Sequence, residues 1–208
     1  MGNLRHIVSA SQFDRPTMHH LFRRMEKFRE DSLFGKVRAS FRSLLWRRCL
    51  MASVFFEAST RTRFSFEAAM QLLGGRVITT ENAHEYSSSH KGESLEDAIR
   101  TISRYVRVIV LRHDEDGAAA RAAAVSLVPV INAGDGKTEH PTQALLDWYT
   151  ILHELGLKRL ERGISITFIG DVRYSRTVHS LWHLLGLYGP SRIVLCATQP
   201  TQATPDQL

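Results

Sequence analysis

Along the first thirty positions apolar residues recur at three- and four-residue intervals. Phe13, Met18, Leu21, Phe22, Met25 and Phe28 share one face of a helix predicted over residues 11–30, with Asp14 and Pro16 as cap and first-turn signals. The pattern then changes period. Short apolar runs over 54–56, 106–111 and 128–131 read as strands, the last two of the buried parallel kind, residues 76–79 read as a further strand, and each is followed by helical spacing. The helices so marked carry Phe66, Met70 and Leu73, stopped by Gly74-Gly75, then Leu95, Ala98, Ile99 and Ile102, then residues 118–124. The last and longest places Leu145, Trp148, Leu152 and Leu155 on one stripe behind Pro141, a residue suited to the first helical position.

After a charged connector the order repeats, with a strand over 164–169, a helix over 177–187 and a strand over 193–196. Alternating strands and helices predict an α/β fold with mostly parallel sheets. Two domains are expected, 1–156 and 163–208, the second incomplete because two strands and one helix bury little core. Residues 82–91 and 132–136 read as loops, and 197–208 as a frayed tail.

Composition narrows the class of function mainly by exclusion. At 208 residues with 43% hydrophobic and 23% charged residues, the chain has ordinary globular proportions. Neither a membrane-spanning run nor an apolar leader is found, so a cytoplasmic protein without a membrane partner is expected. Cys49 and Cys196 are far apart, and His179 and His183 lack a third ligand nearby, so neither a disulfide, a metal nor another cofactor is expected. The net charge of +6 suggests nucleic acid, but four of those six charges are Arg38, Arg42, Arg47 and Arg48, within the acid-free segment 38–50. With no aromatic-interleaved basic stripe besides, no nucleic-acid partner is expected.

The candidate chemistry lies at strand ends, where open parallel sheets bind ligands. Ser59-Thr60-Arg61-Thr62-Arg63 follows the first apolar run and leads into a helix, combining three hydroxyls and two guanidiniums with free helix N–H groups. That combination suits a multiply charged oxyanion such as phosphate. Arg112, the turn His140-Pro141-Thr142-Gln143 and residues 173–177 occupy equivalent positions. Taken singly, Arg61, Arg63 or Arg112 also fits a surface arginine, His140 a capping residue and Lys91 a solvated loop lysine. Their joint occurrence along one sheet edge is what favours a site.

Four motifs resemble a known family. The segment from Phe55 to Glu67, FFEASTRTRFSFE, is similar to the carbamoyl phosphate signature of the carbamoyltransferases, and His140-Pro141-Thr142-Gln143 to their second motif. Lys91-Gly92-Glu93-Ser94-Leu95, and Gly170-Asp171 followed by Arg176-Thr177-Val178-His179-Ser180-Leu181, resemble the aspartate branch. The resemblance implies two α/β domains of the carbamoyltransferase type, binding carbamoyl phosphate in 1–156 and L-aspartate in 163–208. It implies carbamoyl transfer to L-aspartate, as in pyrimidine biosynthesis. Ser59, Thr60, Arg61 and Thr62 would grip the phosphate; Thr62, Arg112 and His140 would face the carbonyl oxygen and Gln143 the amide; Arg176 would bind an aspartate carboxylate. Ser87 and Lys91 would reach a neighbouring subunit's site, Lys91 touching aspartate there, which implies a homotrimer with shared sites. Regulatory chains are a further partner that the resemblance allows.

Two departures stand against the family pattern. Residues 38–50, RASFRSLLWRRCL, read as an insertion into the first strand. The family's aspartate domain also continues well past position 208, which leaves open a second reading: a truncated, non-catalytic fragment or paralogue that binds carbamoyl phosphate or assembles with other subunits.

Overall fold

Helix boundaries follow the capping chemistry of the chain. This structure is a computed structural model, and it describes residues 4–33, 49–81, 83, 92–156, 163–189 and 192–204. The first helix, α1 (Arg15–Leu33), starts where the Asp14 carboxylate accepts the Thr17 N–H at 2.8 Å. Strand β1 (Leu50–Phe55) is buried along most of its length and leads to helix α2 (Thr60–Leu72) and strand β2 (Arg76–Thr80). Helix α3 (Leu95–Ile102) is capped by Ser94, whose hydroxyl accepts the Asp97 N–H at 3.2 Å. Strand β3 (Val108–His113), helix α4 (Ala118–Val125), strand β4 (Val130–Asp135) and helix α5 (Pro141–Leu155) complete the first unit. Strand β5 (Ser165–Ile169), helix α6 (Arg176–Gly186) and strand β6 (Arg192–Cys196) follow.

The four-stranded sheet is wholly parallel, in the order β2-β1-β3-β4. The chain first runs outward from β1 to β2 and then returns to β3 on the other side of β1. Connections on either side of the β1/β3 seam therefore diverge, and a crevice opens beyond the carboxyl ends of these two strands. At the far edge the N-terminal segment closes the sheet: Ile7 N–H donates to the Val130 carbonyl at 2.9 Å and Asn132 N–H to the Ile7 carbonyl at 2.8 Å. Strands β5 and β6 form a separate two-stranded parallel sheet.

Helix α6 packs on α5. Trp148 and Leu152 of α5 share one buried cluster with Leu181, Leu184 and Leu185 of α6, and with Phe13 and Met18 near the N-terminus. Burial of that apolar surface fixes the start of α6 relative to the first sheet.

Several sequence expectations are corrected. Residues 132–136 were expected as a loop because Asn, Gly and Asp are turn formers, yet Asn132–Asp135 continue β4. Their polar groups are satisfied inside the sheet: the Asn132 amide donates to the Val8 carbonyl and to Asp135 Oδ1, each at 2.9 Å. Helix α2 begins at Thr60, so residues 60–63 form its first turn instead of preceding it. The expected frayed tail is tied down as far as Thr201, whose carbonyl accepts the N–H groups of Val172 and Arg173 at 3.1 and 3.0 Å. Leu50, the last residue of the expected insertion, pairs with Arg76 in the sheet, whereas 38–48 lie outside the described residues. Most of the polar 82–91 segment, including Ser87 and Lys91, also lies outside them.

Candidate functional site

Arg112 lies at the carboxyl end of β3, directly across the crevice from the end of β1. The strand register pairs it with Phe55, and its carbonyl accepts the Phe56 N–H at 2.9 Å. Its guanidinium is buried, with 9% of the residue exposed, and is neutralised by Glu57: Nε and Nη2 each lie 3.1 Å from Glu57 Oε2. Arg176, from the first turn of α6, reaches the same oxygen at 3.3 Å with Nη2 and donates through Nη1 to the Gly136 carbonyl at 2.5 Å. One carboxylate oxygen therefore holds two guanidiniums together, and without it their mutual repulsion would push them apart.

His140 completes this cluster. It is the N-cap of α5 and is buried, and its Nδ1 accepts the Gln143 N–H at 3.3 Å, which leaves the proton of the neutral ring on Nε2 as a donor. Burial first, then the charges of Arg176 and Arg112, lower its pKa to about 4. The backbone of His140 is pinned from behind: its N–H donates to Ser180 Oγ at 3.0 Å, and that hydroxyl donates to Glu139 at 2.5 Å.

Gly134 marks the point of convergence. A β-carbon built there would lie 3.3 Å from Arg176 Cζ and His140 Cδ2, and 3.4 Å from Arg112 Nη1. Arginine, arginine and imidazole thus surround one spot on β4.

The phosphate-type turn flanks this cluster through Glu57. Ser59 is the N-cap of α2 but makes no side-chain cap bond, in contrast to Ser94 on α3, so its hydroxyl and the first-turn N–H groups remain available to an anion. Arg61 and Thr60 are exposed and Thr62 is half-buried. Arg63, which the sequence could not distinguish from Arg61, is turned away to an ion pair with Glu81 at 3.0 Å.

The structure therefore brings Arg112, His140 and Arg176 together, and Ser59–Thr62 follow in the chain shortly after Glu57, which bridges the two arginines. Gln143 is oriented differently: its amide donates to Asp147, one turn further along α5, at 2.9 Å. Ser87 and Lys91 lie outside the described residues. Sequence reasoning had no role for Glu57, Gly134 or Ser180. Glu57 offered one signal, an acid between a buried strand and an arginine-rich turn. No group of three or more His, Cys, Asp or Glu side chains able to hold a metal occurs among the described residues, nor does a helix long and apolar enough to cross a membrane.

The depressed pKa of His140 has a consequence for stability. In the unfolded chain the imidazole takes up its proton near pH 6.5, so from there down to about pH 4 the unfolded state binds more protons than the folded one. Stability is accordingly expected to fall as pH falls through that window and to level off below it. Unfolding midpoints measured from pH 7 to 4 check this, with His140→Asn flattening the slope; an unchanged slope in the variant would refute the assignment.

A family model described as the aspartate/ornithine carbamoyltransferase, carbamoyl-P binding domain, matches residues 5–153. The chain is 50% identical over 190 residues to the chloroplastic aspartate carbamoyltransferase of Arabidopsis thaliana, a match that covers 90% of this chain and 46% of the relative. It is 48% identical over 185 residues to the aspartate carbamoyltransferase catalytic subunit of Archaeoglobus fulgidus, covering 89% and 59%. Among solved structures, aspartate transcarbamoylase from Trypanosoma cruzi in complex with carbamoyl phosphate matches with a TM-score of 0.85 at 40% identity, over 98% of this chain and 60% of that one. The chain spans about half the length of the plant relatives it matches.

Proposed function

The chain belongs to the aspartate/ornithine carbamoyltransferase family, and we propose that it binds carbamoyl phosphate at the β1/β3 crevice and transfers the carbamoyl group to L-aspartate, giving N-carbamoyl-L-aspartate and phosphate, as in pyrimidine biosynthesis. The observation that carries this reading is the convergence of Arg112, His140 and Arg176 on Gly134, beside a helix N-terminus whose cap hydroxyl makes no cap bond.

Phosphate sits against the start of α2, held by Ser59, Thr60, Arg61 and Thr62. The carbonyl oxygen faces Thr62, Arg112 and the Nε2–H of His140. Attack of the uncharged amine forms the C–N bond and places negative charge on that oxygen, where fixed donors stabilise it. The bond to phosphate then breaks, and phosphate takes up the amine proton, so no side-chain base is required. A neutral His140 suits this role, because an imidazolium between two arginines would strain the cluster and a neutral ring still donates. Arg176 offers a planar fork to an aspartate carboxylate once Glu57 yields N–H groups to it. Gln143 would serve the carbamoyl amide after releasing Asp147. Ser87 and Lys91 complete the reading as contributions from a neighbouring subunit, Lys91 to aspartate.

Self-association as a homotrimer is supported by an apolar face on α2 and the edge strand β2, where Phe64, Leu72 and Ile78 are 54%, 50% and 44% exposed. The archaeal relative's name, catalytic subunit, supports assembly with other chains, regulatory chains among them.

Calorimetry with carbamoyl phosphate, followed by L-aspartate and an assay for carbamoyl aspartate, tests the proposal. Arg61→Ala is expected to weaken carbamoyl phosphate binding about tenfold or more, the worth of a charge-assisted hydrogen bond. Binding as tight as the parent's would overturn the phosphate assignment. Binding without product would instead identify a chain that holds carbamoyl phosphate but does not turn over aspartate.

A further inference from the structure

Arg176 and Asp116 grip opposite ends of one peptide group. Asp116 lies in the turn between β3 and α4, away from the arginine cluster, and its Oδ1 accepts the Lys137 N–H at 2.6 Å and the Thr138 hydroxyl at 3.2 Å. The carbonyl of the same Gly136–Lys137 peptide accepts Arg176 Nη1 at 2.5 Å. No cis peptide occurs among the described residues, so this unit is a trans plane with its N–H and C=O pointing in opposite directions. A carboxylate on the N–H and a guanidinium on the C=O polarise the plane in the same sense, and each bond strengthens the other.

The plane needs such a clamp. The base of the loop is closed by the Asp135 N–H to Glu139 carbonyl bond at 3.2 Å and by the Gly136 N–H to His113 carbonyl bond at 3.0 Å. Neither fixes the next peptide. Gly136 has a φ of +46°, and as a glycine it opposes rotation of that peptide only weakly. A rotation would turn the carbonyl away from Arg176 and leave its guanidinium tied to Glu57 alone. A β-carbon at Gly136 would collide with the Asp116 carboxylate, so the close approach depends on glycine. The loop also reaches the same segment a second time, through the Lys137 ammonium 5.5 Å above the Tyr174 ring, two residues before Arg176.

We infer that Asp116 is a positioning residue: it locks the Gly136–Lys137 peptide and thereby aims the Arg176 guanidinium at the carboxylate of the incoming amino acid. The inference rests on the proposed role of Arg176, and its structural half can be measured without that role.

Asp116 is exposed, so the fold is expected to survive its replacement. In Asp116→Ala, hydrogen exchange of the Lys137 amide and of the Arg176 Nη1 hydrogens, followed by NMR, should accelerate about tenfold, the loss of one charge-assisted bond at each. Asp116→Asn keeps the acceptor oxygen and should restore both. Titration with succinate, a dicarboxylate without the amine, in the presence of carbamoyl phosphate should show about tenfold weaker binding in Asp116→Ala, while carbamoyl phosphate affinity is unchanged. Arg176 Nη1 hydrogens that exchange as in the parent, or an asparagine variant that behaves like alanine, would overturn the positioning role. If succinate fails to bind the parent chain while the exchange results hold, it is the dicarboxylate reading of Arg176 that fails.

Discussion

Replacing Arg112 with alanine is expected to lower the rate of the proposed carbamoyl transfer about a hundred- to a thousandfold, the loss seen when one fixed donor to a developing oxyanion is removed. The guanidinium is buried, and its position is set by three nitrogens on two partners: Nε and Nη2 on Glu57 Oε2, and Nη1 at 3.5 Å from the Ala133 carbonyl. A group held this rigidly in a site of low dielectric needs no reorganisation when charge appears on the substrate. Arg112→Lys should rescue little, since a single ammonium cannot hold Glu57 through two nitrogens and still face the substrate. The measurement is kcat at saturating substrates, with carbamoyl phosphate affinity followed separately by calorimetry. A rate within threefold of the parent's would remove Arg112 from the reaction.

The loss should exceed that of Arg61→Ala because the two arginines occupy different environments. Arg61 is exposed, and water competes for its hydrogen bonds; Arg112 is not. Removing Arg112 also leaves the Glu57 carboxylate facing Arg176 alone, which draws the second guanidinium toward Glu57 and away from a substrate carboxylate.

The sequence made the scaffold legible wherever one period dominated. The unbroken apolar runs became parallel strands, and the stripes Leu95–Ile99 and Leu145–Leu152 became the buried faces of α3 and α5. It was misleading where turn-forming residues lie inside the sheet. Asn132, Gly134 and Asp135 look like a loop because Asn and Asp side chains compete for nearby backbone groups and glycine favours turns; here Asn132 Oδ1 accepts the Gly134 N–H while its amide donates to the Val8 carbonyl and Asp135 Oδ1, which satisfies these groups within a strand. Strand ends pointed to Arg112 and His140, since that is where parallel sheets present side chains. Glu57 could not be given a role in the same way, because its part depends on two arginines 55 and 119 positions away. Nor does a one-dimensional pattern reveal which of Arg61 and Arg63 turns toward Glu81.

Gly134→Ala is expected to disable the site while leaving every charged residue in place. The new methyl group would stand 3.3 Å from both Arg176 Cζ and His140 Cδ2, which must each give by a few tenths of an ångström, and would come into contact with Arg112 Nη1 at 3.4 Å, and a φ of +111° adds backbone strain. Strain of this kind costs about 1–3 kcal/mol of stability, and displacing the groups proposed to act on the substrate costs rate, up to about a hundredfold where the misplacement reaches about 1 Å. Gly156→Ala provides the control: its φ is +77°, but nothing lies within 4 Å of the added carbon. Both variants should lose stability to a similar degree in thermal unfolding, and only Gly134→Ala should lose carbamoyl phosphate binding and turnover. Equal binding losses in the two would mean that strain alone accounts for the effect. A selective loss at Gly134 would instead mean that the bare backbone there is a condition for Arg112, His140 and Arg176 to approach one another closely enough to act on one substrate.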